Sequence, residues 1–246
     1  MKKSILIFLS ALVLIAGGIF LYNKSQKSSA PDRSGLPGQR FSDLGNFYDW
    51  NLGKGPIAEK IRENCSETMI RKIGDGQIVM NLASNASFSE SELKGLVNLR
   101  DDVYWSDGLP FEAEQVLAAI NRLKAMSNDG TWTASDREFS LLSSITPKVV
   151  SKYEIEFTGI KSQAEFEELL MSNILRPIRN DLLTADPSAK SWAVVIGKRK
   201  PVYPSDSSEL LATLEFVPNT YYFKGAVKEN ESVALTTADS TGKVKN

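Results

Sequence analysis

Trp105 and Asp107 are the residues of this chain whose types and spacing could bind a small molecule. They stand in the run Trp105-Ser106-Asp107-Gly108, where the indole ring offers a flat stacking surface and the carboxylate can hold a cationic amine. A purely structural interpretation also exists. Trp105 suits a core position, and Asp107 with Gly108 suits a tight turn, since Asp bonds nearby backbone amides and Gly accepts a positive φ. We favour the structural interpretation and keep both residues as candidate ligand-binding residues.

A strand, a turn and a helix must position this run. Val103 and Trp105 share one face of a strand by two-residue alternation, and Pro110 closes the turn. From Ala113 onward, apolar residues follow the three-and-four spacing of an amphipathic helix, at Val116, Leu117, Ile120 and Leu123. The sequence therefore predicts a helix over residues 113–125, directly after the turn.

The rest of the body alternates helices with strands, which predicts a mixed α/β (α+β) fold. Ser135 and Ser162 are expected to act as helix N-caps. We expect the remaining helices near residues 56–72, 134–143 and 162–172. We expect further strands near residues 148–150, 153–157, 192–197 and 211–217.

Catalytic chemistry has little support in the sequence. The chain contains no histidine, which removes the usual general base and the commonest zinc ligand. Ser91 and Lys94 have a Ser-x-x-Lys spacing, but the companion motifs of serine acyl enzymes are missing. Cys65 is the only cysteine, and its place on the apolar face of a predicted helix indicates a buried thiol. We therefore predict that the protein is not an enzyme and has no catalytic residues.

Metal ions, cofactors and nucleic acids are not expected either. Asp101, Asp102 and Asp107 lack the alternating ligands of a calcium loop. The Thr241-Gly242-Lys243 run lies in a polar tail, outside any strand-to-helix phosphate loop. The 29 Lys and Arg residues balance 30 Asp and Glu residues, so no broad basic surface for nucleic acid is predicted.

Three stretches, residues 70–83, 99–116 and 145–157, occur in an order that resembles a known family. Together they resemble the N-terminal part of the peptide-binding solute receptors of ABC importers, the oligopeptide and dipeptide class of solute-binding protein family 5. Glu112 departs from that family, which usually has a Thr helix cap there. The resemblance implies a hairpin at residues 70–83, a further pair of strands at residues 145–157, and a lobe of the periplasmic-binding-protein-like fold. Its signature, which we interpret as structural, falls on Trp105, Ser106, Asp107, Gly108, Pro110 and Ala113.

The C-terminal part resembles the family more loosely. Residues 214–223 are similar to a family strand that ends in Asn and an aromatic pair, but residues 197–203 replace the usual Gly-Pro-Tyr turn. Family members continue well beyond this length to form a second lobe, so the resemblance implies a truncated N-terminal lobe. Because a small ligand needs most of its surface buried, we expect weak or no binding of free peptides by this chain alone.

Composition divides the chain into four segments. Residues 1–22 contain an apolar stretch that approaches the roughly 30 Å thickness of a bilayer, which favours a single transmembrane helix as a signal anchor or uncleaved signal. Residues 23–40, rich in Ser, Lys, Gly and Pro, are expected to form a flexible linker. Residues 41–227 are expected to form the partial solute-binding-like domain, and residues 228–246 a disordered tail.

These expectations place the body on the extracytoplasmic side of the cell membrane, periplasmic or extracellular, attached through one N-terminal helix. The favoured function is that of a membrane-anchored, shortened solute-binding-like protein in peptide transport or sensing. Peptides and an ABC permease are its expected partners. Two alternatives stay open: an interaction module of the cell envelope that binds no small solute, and a remnant of a longer receptor.

Overall fold

The computed structural model describes residues 39–40, 49–130, 135–179, 181–182, 192–203, 210–211 and 213–234. All of them belong to the compact unit Gly38–Asn246. Helices and strands alternate along it, as expected for a mixed α/β fold. The helices are α1 (Gly55–Cys65), α2 (Ala113–Asn128), α3 (Asp136–Ser144) and α4 (Gln163–Met171), and a 3-10 turn at Asn173–Leu175 follows α4.

The strands pair antiparallel throughout the described residues. In chain order they are β1 (Gln39–Arg40), β2 (Ile70–Ile73), β3 (Gln77–Met80), β4 (Ala83–Ser89), β5 (Lys94–Leu99), β6 (Thr146–Ser151), β7 (Glu154–Thr158), β8 (Arg199–Val202), β9 (Leu210–Leu211), β10 (Thr213–Pro218) and β11 (Glu231–Ala234). They form a four-stranded sheet of order β4-β5-β7-β6, a three-stranded sheet of order β11-β10-β8, and the pairs β2-β3 and β1-β9.

The core lies between these sheets and the helices. Residues alternate between buried and partly exposed along β5 and β7, which is the pattern of strands with one covered face. The largest fully buried side chains include six aromatic rings: Trp50, Trp105, Phe111, Phe157, Phe166 and Phe216. Burial of rings of this size contributes much of the stability of such a domain.

Helix α2 follows its predicted spacing closely. Val116, Ile120 and Leu123 are buried against the core, whereas Leu117 is partly exposed. The helix continues to Asn128, three residues past the predicted end. Ser135 and Ser162 cap α3 and α4, because each hydroxyl accepts a hydrogen bond from the backbone amide three residues later.

The helix predicted over residues 56–72 is too long. Helix α1 ends at Cys65, and Ser66 adopts an extended conformation with φ −138° and ψ 160°. Residues 70–73 instead form β2, where Ile70 pairs with Met80 of β3. Backbone pairing within the β2-β3 hairpin, which the family resemblance of residues 70–83 implies, outweighs the helical pattern here, and Ile70 becomes buried. Cys65 is buried, as the sequence predicts.

The strand predicted at residues 192–197 is wrong. This segment forms a 3-10 turn followed by bends. Its backbone groups bond to loops, since the amides of Ile196 and Gly197 both donate to the carbonyl of Cys65, at 3.2 and 3.0 Å. Residues 195–197 therefore bond to loops on both sides, to Cys65 at the end of helix α1 and to Ser106.

The predicted linker and tail differ from the structure at their inner ends. Gln39 and Arg40 form β1, although they were expected in the linker. Glu231–Ala234 form β11, although a disordered tail was expected from residue 228. Pairing with the edge of β10 satisfies the β11 backbone, and Arg199 adds a 2.9 Å ion pair with Glu231. Residues 23–38, 41–48 and 235–246 lie outside the described residues.

The predicted transmembrane segment at residues 1–22 also lies outside the described residues. Within the described ranges, no helix combines the length and the apolar character needed to cross a membrane.

Candidate functional site

The Trp105-Ser106-Asp107-Gly108 run forms a tight turn closed by its own hydrogen bonds. The amide of Trp105 donates to the carbonyl of Leu109 at 2.8 Å, and the amide of Gly108 donates to the carbonyl of Trp105 at 2.9 Å. Asp107 Oδ1 accepts from the amide of Leu109 at 3.2 Å. Gly108 has φ +85°, which a residue with a side chain adopts only with strain. We call residues 103–113 the signature turn.

The Trp105 side chain is completely buried. Its ring packs edge-on against Phe111 with 6.4 Å between ring centroids, and the Arg179 guanidinium lies 5.9 Å from the Trp105 centroid. Trp105 Nε1 has no hydrogen-bond partner within the described part of the chain. In this structure Trp105 offers no exposed face on which a solute could stack.

Asp107 is a partly exposed carboxylate that already holds a cation. Its Oδ2 accepts from Arg179 Nη1 at 2.5 Å. Arg179 also donates to both carboxylate oxygens of Asp181, at 2.9 and 2.7 Å. The hydrogen bonds to Asp181 and Asp107 raise the pKa of Arg179, although burial opposes the rise, and Arg179 lowers the pKa of Asp181. A role for Asp107 in binding an amine stays a prediction.

The other signature residues connect the turn to distant segments. The Ser106 amide donates to the carbonyl of Val195 at 2.8 Å, and Ser106 Oγ accepts from the Val195 amide at 3.1 Å. Pro110 forms a bridge with Tyr104. The amide of the buried Ala113 donates to the carbonyl of Lys152 at 2.9 Å, which joins α2 to the β6-β7 hairpin. All these contacts serve to connect parts of the fold.

Glu112 replaces the Thr cap of the family without loss of helix capping. Its backbone amide donates to Gln115 Oε1 at 2.5 Å, as in a capping box. The Glu112 carboxylate also forms a 3.1 Å ion pair with Lys152.

A second region is a solvent-open cleft lined by polar and charged side chains. A cleft of about 530 Å³ lies beside the end of α1, the β2 strand and residue 222. Its volume lies in the range typical of small-molecule sites, roughly 300–1,000 Å³. Five cationic and three acidic side chains line it. We call it the arginine cleft. Its lining includes Arg62, Glu67, Arg71, Arg176, Lys198 and Tyr222.

Glu67 is the best-satisfied acid of the arginine cleft. It accepts hydrogen bonds from Tyr222 Oη at 2.5 Å and Asn81 Nδ2 at 2.8 Å, and Lys224 Nζ lies 3.3 Å away. Burial alone would raise the pKa of Glu67, but these three partners lower it overall. Burial and the hydrogen bond to Glu67 raise the pKa of Tyr222. Glu67 is therefore an ionised carboxylate whose charge is already compensated.

Arg176, in contrast to the fully hydrogen-bonded Glu67, has a buried donor atom with no partner among the described residues. Its Nε donates to Asn173 Oδ1 at 2.8 Å, but its buried Nη1 has no hydrogen-bond partner among the described residues. Burial lowers the pKa of Arg176 to about 10, the attraction of Glu67 opposes this, and a smaller repulsion from Arg62 adds to it. Trp50 and Asn51 fix the backbone beside it, since Trp50 Nε1 donates to Pro177 O at 3.0 Å and Asn51 Nδ2 to Arg176 O at 3.1 Å.

The sequence analysis did not find the arginine cleft. Its charged residues come from three separate stretches of chain, residues 59–72, Arg176 and Lys198, and form no motif. The one available signal is the loose similarity at residues 214–223, which includes Tyr222. Among the described residues, no group of three His, Cys, Asp or Glu side chains could hold a metal ion.

The fold resembles that of solved solute receptors. Listeria monocytogenes OppA bound to peptide is 16% identical, with a TM-score of 0.64 over 84% of this chain and 42% of that chain. Helicobacter pylori DppA in complex with the peptide STSA is 18% identical, with a TM-score of 0.61 over 79% of this chain and 41% of that chain. Brucella suis NikA in complex with Fe(III)-EDTA is 20% identical, with a TM-score of 0.62 over 84% of this chain and 39% of that chain.

These likenesses define a lobe of the periplasmic-binding-protein-like fold, and the chain spans about 40% of the length of these receptors. The family model described as bacterial extracellular solute-binding proteins, family 5 Middle, matches residues 77–245. The chain therefore belongs to this family of solute-binding proteins, which confirms the resemblance inferred from the sequence. A search of curated proteins finds no match.

Proposed function

We propose that this protein receives peptides for an ABC importer or a peptide-sensing system. Membership of the family over residues 77–245 is the observation that carries the proposal. Solved receptors of similar fold hold peptides, as in OppA from Listeria monocytogenes and DppA from Helicobacter pylori. The protein acts by binding and delivering a solute, without chemical conversion.

The arginine cleft supports this proposal as the place where the chain meets its solute. It combines backbone segments, hydroxyl groups and both signs of charge around a volume suited to a short peptide. The signature turn offers no comparable opening, because its ring is buried and its carboxylate is paired with Arg179.

The proposal also places the body outside the cytoplasm, held to the cell membrane by the apolar segment at residues 1–22. An ABC permease in the same membrane is the proposed partner. These points rest on the sequence of the N-terminal segment and on the family relationship.

Peptide binding can be tested with the full chain by equilibrium dialysis against a mixed library of dipeptides to hexapeptides. Mass spectrometry then identifies the retained peptides. Because a single lobe buries only part of a peptide, we expect weak retention by the native chain, measurable at high protein concentration, and none by the heat-unfolded chain. Equal recovery from both samples contradicts the proposed function.

The location can be tested with a single introduced thiol. Glu92 has a side chain that is 62% exposed, whereas the native Cys65 is fully buried. In intact cells, a membrane-impermeant maleimide should label the Glu92→Cys variant and leave the wild type unlabelled. Labelling of Glu92→Cys only after lysis would place the body in the cytoplasm.

A further inference from the structure

The four-stranded sheet ends in two edge strands, β6 and β4, which differ in how they are protected. An edge strand carries backbone N–H and C=O groups that can pair with another chain, and proteins usually protect such edges with proline, charge or a bulge. Strand β6 has all three, namely Pro147, Lys148 and a shift of register between Val149 and Ser151. The β6 edge is therefore protected against further pairing.

Strand β4 lacks these protections from Asn85 to Ser89. This stretch contains no proline and no charged residue, and it pairs with β5 in an unbroken register. Alternate residues of an edge strand direct their N–H and C=O groups away from the sheet. No strand of the described residues pairs with the outer side of β4, and the side chains of Asn85 and Ser87 are exposed. The outer side of β4 is therefore available for a fifth strand.

The two ends of β4 carry opposite charge. The strand begins beside the β2-β3 hairpin, because the amide of Ala83 donates to the carbonyl of Met69 at 3.1 Å. That hairpin carries Arg71 and Lys72, which are exposed and form no ion pair with any described residue. At the other end, β4 leads into a turn where Glu90 is exposed and also has no ion pair within the described part of the chain.

A second copy of the chain fits both the open edge and this distribution of charge. Two β4 strands related by a twofold axis run antiparallel, so the Glu90 end of each copy lies beside the basic hairpin end of the other. The attraction between these ends acts twice across the axis. The uncharged middle of the strand places no like charges opposite each other. Pairing of this kind would extend the sheet from four strands to eight.

Leu93, in the turn after β4, provides a second observation. Its φ is +50°, and it is the one residue other than glycine with a positive φ in the described part of the chain. This conformation is strained for leucine, and Leu93 is 48% exposed, so the chain's own core does not compensate the strain. Met80, which is 41% exposed, lies at the other end of β4. Antiparallel pairing therefore brings Leu93 of each copy toward Met80 of the other.

We propose that the chain forms a symmetric dimer by antiparallel pairing of its β4 edges. The dimer goes beyond the proposed function, and no residue of β4 lines the arginine cleft. A pair of short strands buries a small area, so we expect a weak dimer with a dissociation constant on the order of 10 µM.

The test is sedimentation velocity of the full chain in dodecyl maltoside at about 1–100 µM. The wild type should show a dimer that increases with concentration. Asn85→Lys and Ser87→Lys should each weaken it about tenfold, because the lysines of two copies meet across the new strand pair. Val150→Lys adds the same charge to the exposed side of β6 and should leave the dimer unchanged. Circular dichroism checks folding, and two edge variants are used in case one of them does not fold.

Charge reversal tests the antiparallel arrangement. Glu90→Lys should weaken the dimer about threefold, since it then repels the basic hairpin of the other copy. Adding Arg71→Glu and Lys72→Glu to this variant should restore wild-type association, because the attraction is re-established with reversed sign. Leu93→Asn should weaken the dimer and leave the melting temperature unchanged or higher, because Asn adopts a positive φ more readily than Leu. A failed rescue by charge reversal would contradict the antiparallel pairing.

A monomer over the whole concentration range would overturn the proposed dimer but leave the proposed peptide receptor intact. A dimer that both edge lysines leave unchanged would also overturn it, because the contact would then lie elsewhere. Equal weakening by Val150→Lys would do the same, since the effect would be one of net charge. If the wild type is monomeric and Asn85→Lys abolishes peptide retention in the dialysis experiment, the β4 edge binds the solute and not a second copy.

Discussion

Arg179 and Arg176 lie three residues apart on the same segment, yet they belong to regions of opposite character. Arg179 supports the signature turn and contacts two carboxylates, Asp107 and Asp181. Arg176 lines the arginine cleft and contacts none among the described residues. The pKa of Arg179 is raised and that of Arg176 is lowered to about 10.

This difference separates a structural element from a candidate binding surface. In the signature turn, backbone and charged groups are bonded to other parts of the chain, and the turn therefore contributes to folding. In the arginine cleft, the guanidinium groups of Arg62, Arg71 and Arg176 form no ion pair with any described residue. A strong sequence motif thus marks the first region, while the second has the better chemistry for a solute.

The largest expected effect comes from removing the ring at the centre of the signature turn. Trp105→Ala should lower the free energy of unfolding by about 3–5 kcal/mol, because a fully buried ring leaves a cavity. Chemical denaturation measures this. The neighbouring Tyr104→Ala is the control, because Tyr104 is 41% exposed, and it should cost less than about 1 kcal/mol. Equal costs would contradict a packing role for Trp105.

The next largest expected change in stability comes from neutralising Glu67 in the arginine cleft. Glu67→Gln should lower the free energy of unfolding by about 2 kcal/mol at pH 7, because charge-assisted hydrogen bonds from Tyr222 and Lys224 are weakened. The exposed Glu92→Gln should change it by less than about 0.5 kcal/mol.

The pH dependence of Glu67→Gln has a definite sign. The folded pKa of Glu67 lies below its ordinary value, so its stabilisation is fully present above the unfolded pKa of about 4.3. It is lost as the pH falls through the folded pKa. The stability difference between wild type and variant, measured by urea denaturation from pH 7 to pH 3, should therefore shrink at the acidic end. A difference that grows with acidity would contradict this assignment.

A smaller effect tests the backbone of the signature turn. Gly108→Ala should cost about 1 kcal/mol, because φ is +85° and the new methyl group would lie 3.2 Å from the Tyr221 ring. Gly130 has φ +75° and open space around it, so Gly130→Ala isolates the backbone strain. Since Tyr221 is 48% exposed and can turn away, the two variants should agree within about 0.5 kcal/mol in thermal unfolding. A much larger cost for Gly108→Ala would show that Tyr221 is fixed.

The smallest expected change in stability, that of Arg176→Gln, tests the difference between the arginine cleft and the signature turn most directly. Arg176→Gln should leave the free energy of unfolding unchanged within about 0.5 kcal/mol, or raise it, because a desolvated and unpaired charge is removed. Arg179→Gln should lower it by about 1–2 kcal/mol, because the bonds to Asp107 and Asp181 are lost. Equal destabilisation by both variants would remove the distinction between the two regions.

Local sequence patterns predicted the elements that depend on local interactions. The three-and-four spacing placed the buried residues Val116, Ile120 and Leu123 on α2, and Ser135 and Ser162 marked two helix starts. The helical spacing ran on too far at residues 70–72, which belong to the hairpin that the family resemblance implies for residues 70–83. The disordered tail predicted from residue 228 was wrong at Glu231–Ala234, because these residues pair with β10.

The sequence by itself determined the family, the signature turn and the burial of Cys65, because these depend on residue types at short spacing. Only the tertiary structure decided which charges distant in sequence are paired, as in Asp107 with Arg179 and Asp49 with Arg122. Arg176 and Arg179 are the same residue type on one short segment, and the neighbouring Asp181, which bonds Arg179, accounts locally for part of their difference. Folding brings Asp107, 72 residues earlier in the chain, against Arg179, whereas it buries Arg176, and this burial lowers the pKa of Arg176 to about 10.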